Sequence, residues 1–254
     1  MHNAALAELG LGDEWSYEAI EVDADGFGPL VGSLPEQGFA GVNVTVPYKL
    51  AALALADEAS AAAREIGAAN TLTFAGGRIA AENTDAPGLI AALPEPPAGR
   101  RALVLGAGGS ARAVVWALRR AGAEVAIWNR TASRGEALAA ELGARTVTDT
   151  DLADFDLVVN ATTVGMDVAS GGSGPQLKAL PLDVDALQAR HMVVDLVYGA
   201  VETPLVSAAR ERGIGTVDGL EVLVRQGAES LRLWTGLDPP LETMRTAARR
   251  NAQS

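Results

Sequence analysis

The stretch from Arg101 to Gly122, RALVLGAGGSARAVVWALRRAG, constrains the fold of this 254-residue chain more than any other. The apolar run RALVL reads as a buried strand. It breaks at Gly106-Ala107-Gly108-Gly109, and from Ser110 the apolar residues recur at helical spacing up to Gly122. A strand, a glycine turn and a helix in this order form one unit of a parallel α/β sheet. The glycines let the backbone approach a pyrophosphate, and the helix N-terminus offers free N–H donors and a positive dipole end. Ala111 stands where the usual dinucleotide pattern has its third glycine.

The rest of the chain repeats the alternation. HNAALAELG predicts a helix stopped at Gly10, followed by a strand in YEAIEVDA, a helix around 26–37 and a strand in FAGVNVTV. Tyr48 to about Ile66 is alanine-rich with leucines at helical spacing, and two short strands meet at Gly76-Gly77. PEPPAG at 94–99 reads as a linker or loop. Beyond it EVAIWNR, DFDLVVNAT, HMVVDLVY and IGTVDG are strands, with a Gly/Ser-rich loop at 167–175 and a helix in TPLVSAARERG. Two helical segments divided by Gly236 to Pro240 close the chain. Strands alternating with helices predict a parallel sheet with right-handed crossovers.

Composition removes several kinds of chemistry. There are no cysteines, so thiolate catalysis, disulfides and cysteine-based zinc sites are out, and His2 and His191 alone make a histidine metal site implausible. The net charge of −12 argues against a nucleic-acid partner. No apolar run is long enough to span a bilayer and no secretory signal pattern opens the chain, so a cytoplasmic location is expected. The charge is unevenly spread: residues 1–99 carry a net −11, while residues 100–134 hold seven arginines against Glu124 alone. A positive island in an acidic protein suggests a bound anion; a solvated arginine-rich helix face accounts for Arg119 and Arg120 but not for all seven.

Part of that island sits where a dinucleotide would be discriminated. NAD-binding units usually end their second strand in an acidic residue that accepts from the ribose hydroxyls. Here the strand ends in Asn129-Arg130-Thr131, with Arg134 one turn into the next helix. Guanidinium groups hold a 2′-phosphate that a carboxylate would repel, which favours NADP(H). The ordinary reading is Thr131 as a helix cap flanked by two surface arginines.

Only two lysines occur, Lys49 and Lys178, against eighteen arginines. Lys49 follows the strand-like GVNVTVPY, so its ammonium can point into a cleft at a sheet edge. Asp85, in Asn83-Thr84-Asp85, sits at a second turn before a helix. An ammonium and a carboxylate together could bind a substrate hydroxyl and move its proton. On spacing alone the ordinary roles outweigh this one: Asp85 as an N-cap, Lys49 as a solvated first-turn side chain.

The ordered series GVNVTVPYK, GAANTL, NTDAPG, GAGGSARA, NRT, NATTVGM, DLVY followed by TPL, and DGLEVLVRQ resembles the shikimate dehydrogenase family over nearly the whole chain. The resemblance implies a two-domain α/β fold: a substrate-binding domain (1–86 and 220–254) and an NADP-binding Rossmann domain (87–219), with the C-terminal helices returning to the first. It implies Lys49 and Asp85 as the catalytic pair, and Thr45, Asn70, Asp85, Tyr198 and Gln226 as substrate contacts. Its cofactor contacts fall on Gly106, Ala107, Gly108, Gly109 and Ser110, on Asn129, Arg130, Thr131 and Arg134, and on Gly219. The implied reaction is the reversible NADPH-dependent reduction of 3-dehydroshikimate to shikimate, without a metal, by a monomer or homodimer. Leu220, Leu223 and Leu231 read as core that packs the tail helix on the first domain.

Other members and relatives are compatible with parts of the pattern: a quinate or aminoshikimate dehydrogenase, a non-catalytic NADP(H)-binding regulatory paralogue, or more distantly a methylenetetrahydrofolate dehydrogenase. The family's opening strand and Ser-x-Ser loop, which hold the substrate carboxylate, have no match here. The expectation is therefore a start inside a longer reading frame or a truncated chain, with weakened shikimate binding and a less stable substrate domain; if binding is instead undiminished, Ser16 or Ser33 has to anchor the carboxylate.

Overall fold

The structure is a computed structural model that describes residues 1–166 and 177–252; the Gly/Ser-rich loop expected at 167–175 lies outside the described residues. The first part of the chain contributes helices α1 (His2–Glu8), α2 (Ala24–Ser33), α3 (Lys49–Leu55), α4 (Ala61–Ile66) and α5 (Asp85–Ala92). With them run strands β1 (Gly41–Asn43), β2 (Glu58–Ala59), β3 (Thr71–Ala75) and β4 (Arg78–Glu82), paired in the order β1-β3-β4-β2. β3 is antiparallel to both neighbours and β2 is parallel to β4. Phe27, Val31, Val44, Ala52, Leu72 and Ala81 pack α2 and α3 against this sheet.

The second part is a parallel sheet. Its elements are β5 (Arg101–Leu105), α6 (Gly109–Arg120), β6 (Glu124–Trp128), α7 (Ala132–Leu142), β7 (Arg145–Thr146), β8 (Leu157–Asn160), β9 (Met192–Asp195), α8 (Pro204–Glu211) and β10 (Gly215–Val217). The strand order is β10-β9-β8-β5-β6-β7, all parallel. This is the Rossmann arrangement, and its order reverses between β5 and β8. Ligands of such sheets bind in the crevice beyond the carboxyl ends of the strands at that point. The apolar run of β5 is nearly continuous because both of its faces are covered, one by each of two buried clusters.

Helices α9 (Gly219–Thr235) and α10 (Leu241–Ala252) then return to the first part. Val224, Ala228, Leu231 and Met244 pack on Ala5 and Leu6 of α1, with Leu220 at the margin and Leu223 half-buried. Trp234 Nε1 donates to the carbonyl of Leu72 in β3 at 3.1 Å.

Three segments differ from expectation. YEAIEVDA is not a strand: among the described residues β1 pairs with β3 alone, and no strand lies beside residues 17–23 to complete a ladder. Side chains hold the segment instead. The Asn3 amide takes Tyr17 from both sides, accepting from its N–H at 2.6 Å and donating to its carbonyl at 2.8 Å, and Tyr48 Oη donates to the Val22 carbonyl at 3.1 Å. The alanine-rich run from Tyr48 is broken into α3 and α4. Asp57 accepts from the Ile79 N–H at 2.8 Å, β2 joins β4, and Ser60 caps the second helix by accepting from Ala63 N–H at 3.1 Å. FAGVNVTV contributes only three ladder residues, followed by a cis Val46–Pro47 bond and a turn.

Candidate active site

Lys49 opens α3 and Asp85 opens α5. Lys49 is only 8% exposed, and its Nζ donates to Asp85 Oδ2 at 2.6 Å and to Ser110 Oγ at 3.0 Å. It is therefore not a solvated first-turn lysine. Asp85 is not a cap either: Thr84 holds the N-cap position, and Asn83 Oδ1 accepts from the Ala86 N–H at 3.2 Å. The Asp85 carboxylate is turned inward, with Oδ1 accepting from Asn70 Nδ2 at 3.0 Å.

Asn70 is the centre of a wider network. Its amide nitrogen lies 2.9 Å from Thr84 Oγ1, 3.0 Å from Asp85 Oδ1 and 3.0 Å from Gln226 Oε1. An amide has two protons for these three acceptors, so one acceptor is always left to a further donor. Gln226 reaches the cleft from α9, its own amide donating to the Leu223 carbonyl at 3.0 Å. Tyr198, just beyond β9, is 45% exposed. Its hydroxyl pKa is raised, first by burial of the group and then by the Asp85 charge. Thr45 is exposed in the turn after β1 and makes no side-chain bond among the described residues, so the structure does not tie it into this network. Ser33 is committed to its own helix end, donating to Leu30 and accepting from Gln37, while Ser16 is exposed.

A second layer escaped the sequence reading. Ser230 Oγ is fully buried and lies 2.7 Å from Asn43 Nδ2, 3.0 Å from Thr71 Oγ1 and 3.2 Å from Thr84 Oγ1. Asn43 Oδ1 in turn accepts from Tyr17 Oη at 3.0 Å. This layer fixes the sheet beneath Asn70 to α9. Its signals were available in the chain: Ser230 stands one helical turn after Gln226, and Asn43 interrupts the apolar pattern of GVNVTV.

The glycine turn meets the needs of a dinucleotide. Gly106 has φ +114°, and a Cβ there would come within 2.9 Å of the Ala161 carbonyl oxygen after β8. Gly108 is the N-cap of α6 and faces open space, with no side chain capping the helix. The first N–H groups of α6 are thus left for an anion. On the next strand, Thr131 occupies the N-cap of α7 without a side-chain cap bond, so the capping role fails; Asn129 Nδ2 donates to its carbonyl at 2.8 Å.

Most of the positive island is structural. Arg100 pairs with Glu95, Arg101 with Asp156, and Arg112 with Glu141; Arg119 donates to the Leu142 carbonyl, and Arg120 lies over Trp116. Arg120, Arg130 and Arg134 are exposed without a hydrogen bond or ion pair among the described residues, and of these Arg130 and Arg134 also lack the ring contact that Arg120 makes. Gly219 is the first residue of α9, where a Cβ would overlap the Val197 carbonyl oxygen, and Asp218 caps the helix by accepting from Glu221 N–H at 3.0 Å.

Comparison with known proteins gives the same frame. Residues 1–72 match the model of the shikimate dehydrogenase substrate binding domain, residues 93–197 that of shikimate / quinate 5-dehydrogenase, and residues 219–249 that of the shikimate 5'-dehydrogenase C-terminal domain. The chain is 46% identical to an NADP(+) shikimate dehydrogenase of Thermus thermophilus, over 98% of this chain and 92% of that one. It is 41% identical to that of Symbiobacterium thermophilum, over 98% and 87%. The crystal structure of shikimate 5-dehydrogenase from a second Thermus thermophilus strain, with NADP(H) and shikimate, superposes with a TM-score of 0.87 at 43% identity, covering 98% of this chain and 92% of that one.

Proposed function

The chain belongs to the shikimate dehydrogenase family, and on that premise we propose that it catalyses the reversible, NADPH-dependent reduction of 3-dehydroshikimate to shikimate. The observation that carries this reading is the Lys49–Asp85 pair, 2.6 Å apart, beside the uncapped N-terminus of α6. The glycine turn from Gly106 to Ser110 would hold NADPH, which when bound would supply the hydride for the ring ketone. Lys49 gives its proton to the ketone oxygen in reduction and takes it back in oxidation. Asp85 orients the ammonium and accepts from the neighbouring ring hydroxyl. Asn70 and Gln226 present amides to the remaining hydroxyls. Tyr198 and Thr45 are the remaining proposed substrate contacts.

Arg130 and Arg134, with Asn129 and Thr131, hold the 2′-phosphate. Gly106 to Ser110 hold the pyrophosphate, and Gly219 lets the backbone approach the nicotinamide end. Residues 1–86 and 220–254 act as the substrate domain and 87–219 as the cofactor domain, in a cytoplasmic monomer or homodimer.

The test is a steady-state assay of shikimate and quinate, each with NADP and with NAD. The expected result is the highest kcat/KM for shikimate with NADP. A preference for quinate, or NADP binding without turnover of either acid, overturns the reading.

A further inference from the structure

The second partner of the Lys49 ammonium comes from the other half of the molecule. Ser110 is the second residue of α6, and its Oγ accepts from Lys49 Nζ at 3.0 Å. An ammonium has three N–H donors. One is directed to Asp85 and one to Ser110, so the third points in a single remaining direction. The contact does not rest on a loose loop. A Cβ at Gly109 would lie 2.9 Å from Lys49 Cβ, so the turn packs directly on the lysine stem. Further along α6, Arg112 Nε donates to the Ile66 carbonyl at 2.6 Å and Trp116 Nε1 to Glu65 Oε2 at 2.8 Å. The Ser110 hydrogen makes no bond among the described residues.

We propose that Ser110 is a positioning residue for the proton donor: its hydroxyl fixes the direction of the third N–H of Lys49 and ties that direction to the seating of α6. The inference rests on the proposed function in assigning Lys49 the proton transfer, and it gives Ser110 a role beyond a pyrophosphate contact. The hydroxyl accepts from Lys49 on one side and keeps its own proton for an anion in the turn on the other. The element that receives the cofactor thereby also aims the acid.

The 254-residue chain is compared with Ser110→Ala and Ser110→Thr in three measurements: NADPH affinity by fluorescence titration, kcat at saturating NADP and shikimate, and amine labelling read by mass spectrometry. Lys178 is the only other lysine and serves as the internal reference for labelling. Ser110→Ala is expected to bind NADPH severalfold more weakly and, with the cofactor saturating, still to lose about tenfold in kcat, the scale of one hydrogen bond to a charged group. Lys49 labelling should rise severalfold relative to Lys178, and Ser110→Thr should restore both. Weaker NADPH binding with unchanged kcat and unchanged labelling would make Ser110 a phosphate contact and nothing more. A wild-type chain that neither oxidises shikimate with NADP nor reduces 3-dehydroshikimate with NADPH defeats the functional reading, while the labelling comparison still decides this one. Should Ser110→Ala not fold, Ser110→Cys, close in volume and a poor acceptor, takes its place.

Discussion

Lys49 and Asp85 stand 36 positions apart in sequence, on two different helices, yet their side chains meet at 2.6 Å with both largely withdrawn from water. Each opens its helix, so both heads project from first turns into one cleft. A pair this close and this buried is weak evidence for stability, because desolvation offsets much of the attraction. Its place at the mouth of a dinucleotide turn is better explained by chemistry. Ammonium, carboxylate and the Asn70 amide form a row that can hold a hydroxyl and exchange its proton.

Replacing Lys49 by Ala should therefore lower kcat by about 10²–10⁴, the usual contribution of a general acid–base group. NADPH affinity, followed by fluorescence titration, should largely persist, because the backbone of the turn and the arginines keep their own residues and only the Lys49 contact to Ser110 is lost. Turnover near the wild-type level would leave Lys49 as a structural partner of Asp85.

Arg130→Ala should act on one cofactor and spare the other. A charge-assisted contact to the 2′-phosphate is worth about 1.5–3 kcal/mol, so the NADP KM should rise about ten- to hundredfold. NAD has no such phosphate, and its kinetic constants should barely move. Equal losses with both cofactors would remove Arg130 from the 2′-phosphate site.

The parallel sheet was legible in the chain because each local signal agreed with its neighbours: the apolar run of β5, glycines where φ turns positive, and helical spacing up to Gly122. YEAIEVDA misled because strand propensity describes fit beside a neighbour, and among the described residues no strand runs beside it. The arginine count misled for a similar reason. Arg112 meets Glu141 and Arg119 meets the Leu142 carbonyl across long sequence gaps that local charge cannot reveal. The buried layer of Asn43, Thr71, Thr84 and Ser230 draws on four segments whose meeting follows from the fold alone. The Lys49–Ser110 contact, between residues of different sheets' helices, was hidden in the same way.

Gly219→Ala tests a position with a steric reason to be glycine. Its new Cβ would run into the Val197 carbonyl, a backbone group that cannot rotate away. Overpacking of this kind costs about 1–3 kcal/mol, and in a chain of this size each kcal/mol lowers Tm by roughly 2–4 °C. The displaced backbone carries Tyr198, so the shikimate KM should rise as well. An unchanged Tm with unchanged KM would show that the helix start accommodates the methyl group.

The pH dependence of stability holds two opposed contributions. His2 is 4% exposed, and burial, partly countered by its bond to the Gly227 carbonyl, pushes its pKa down to about 4. Asp195 is fully buried, and burial pushes its carboxyl up to about 6 against the bonds from Thr203, Val197 and Asn160. For His2 the unfolded chain binds the extra proton, so its stabilising contribution is complete above about pH 6.5 and is lost as pH falls through about 4. For Asp195 the folded chain binds it, so the contribution is complete below about pH 4 and is lost as pH rises through about 6. Shifts of this size amount to about 3 kcal/mol each, and in the wild type they largely cancel across the shared window. Asp195→Asn should unmask the histidine, giving a stability that climbs from pH 4 to 6.5 more steeply than wild type. His2→Gln should unmask the aspartate, giving one that falls over the same range. Asp156 and Glu221, both held low by arginines and hydrogen bonds, are common to all three proteins and drop out of the differences. Urea unfolding at half-unit steps between pH 4 and 7 reads both slopes. Three parallel curves would mean that neither buried group changes its proton affinity on folding.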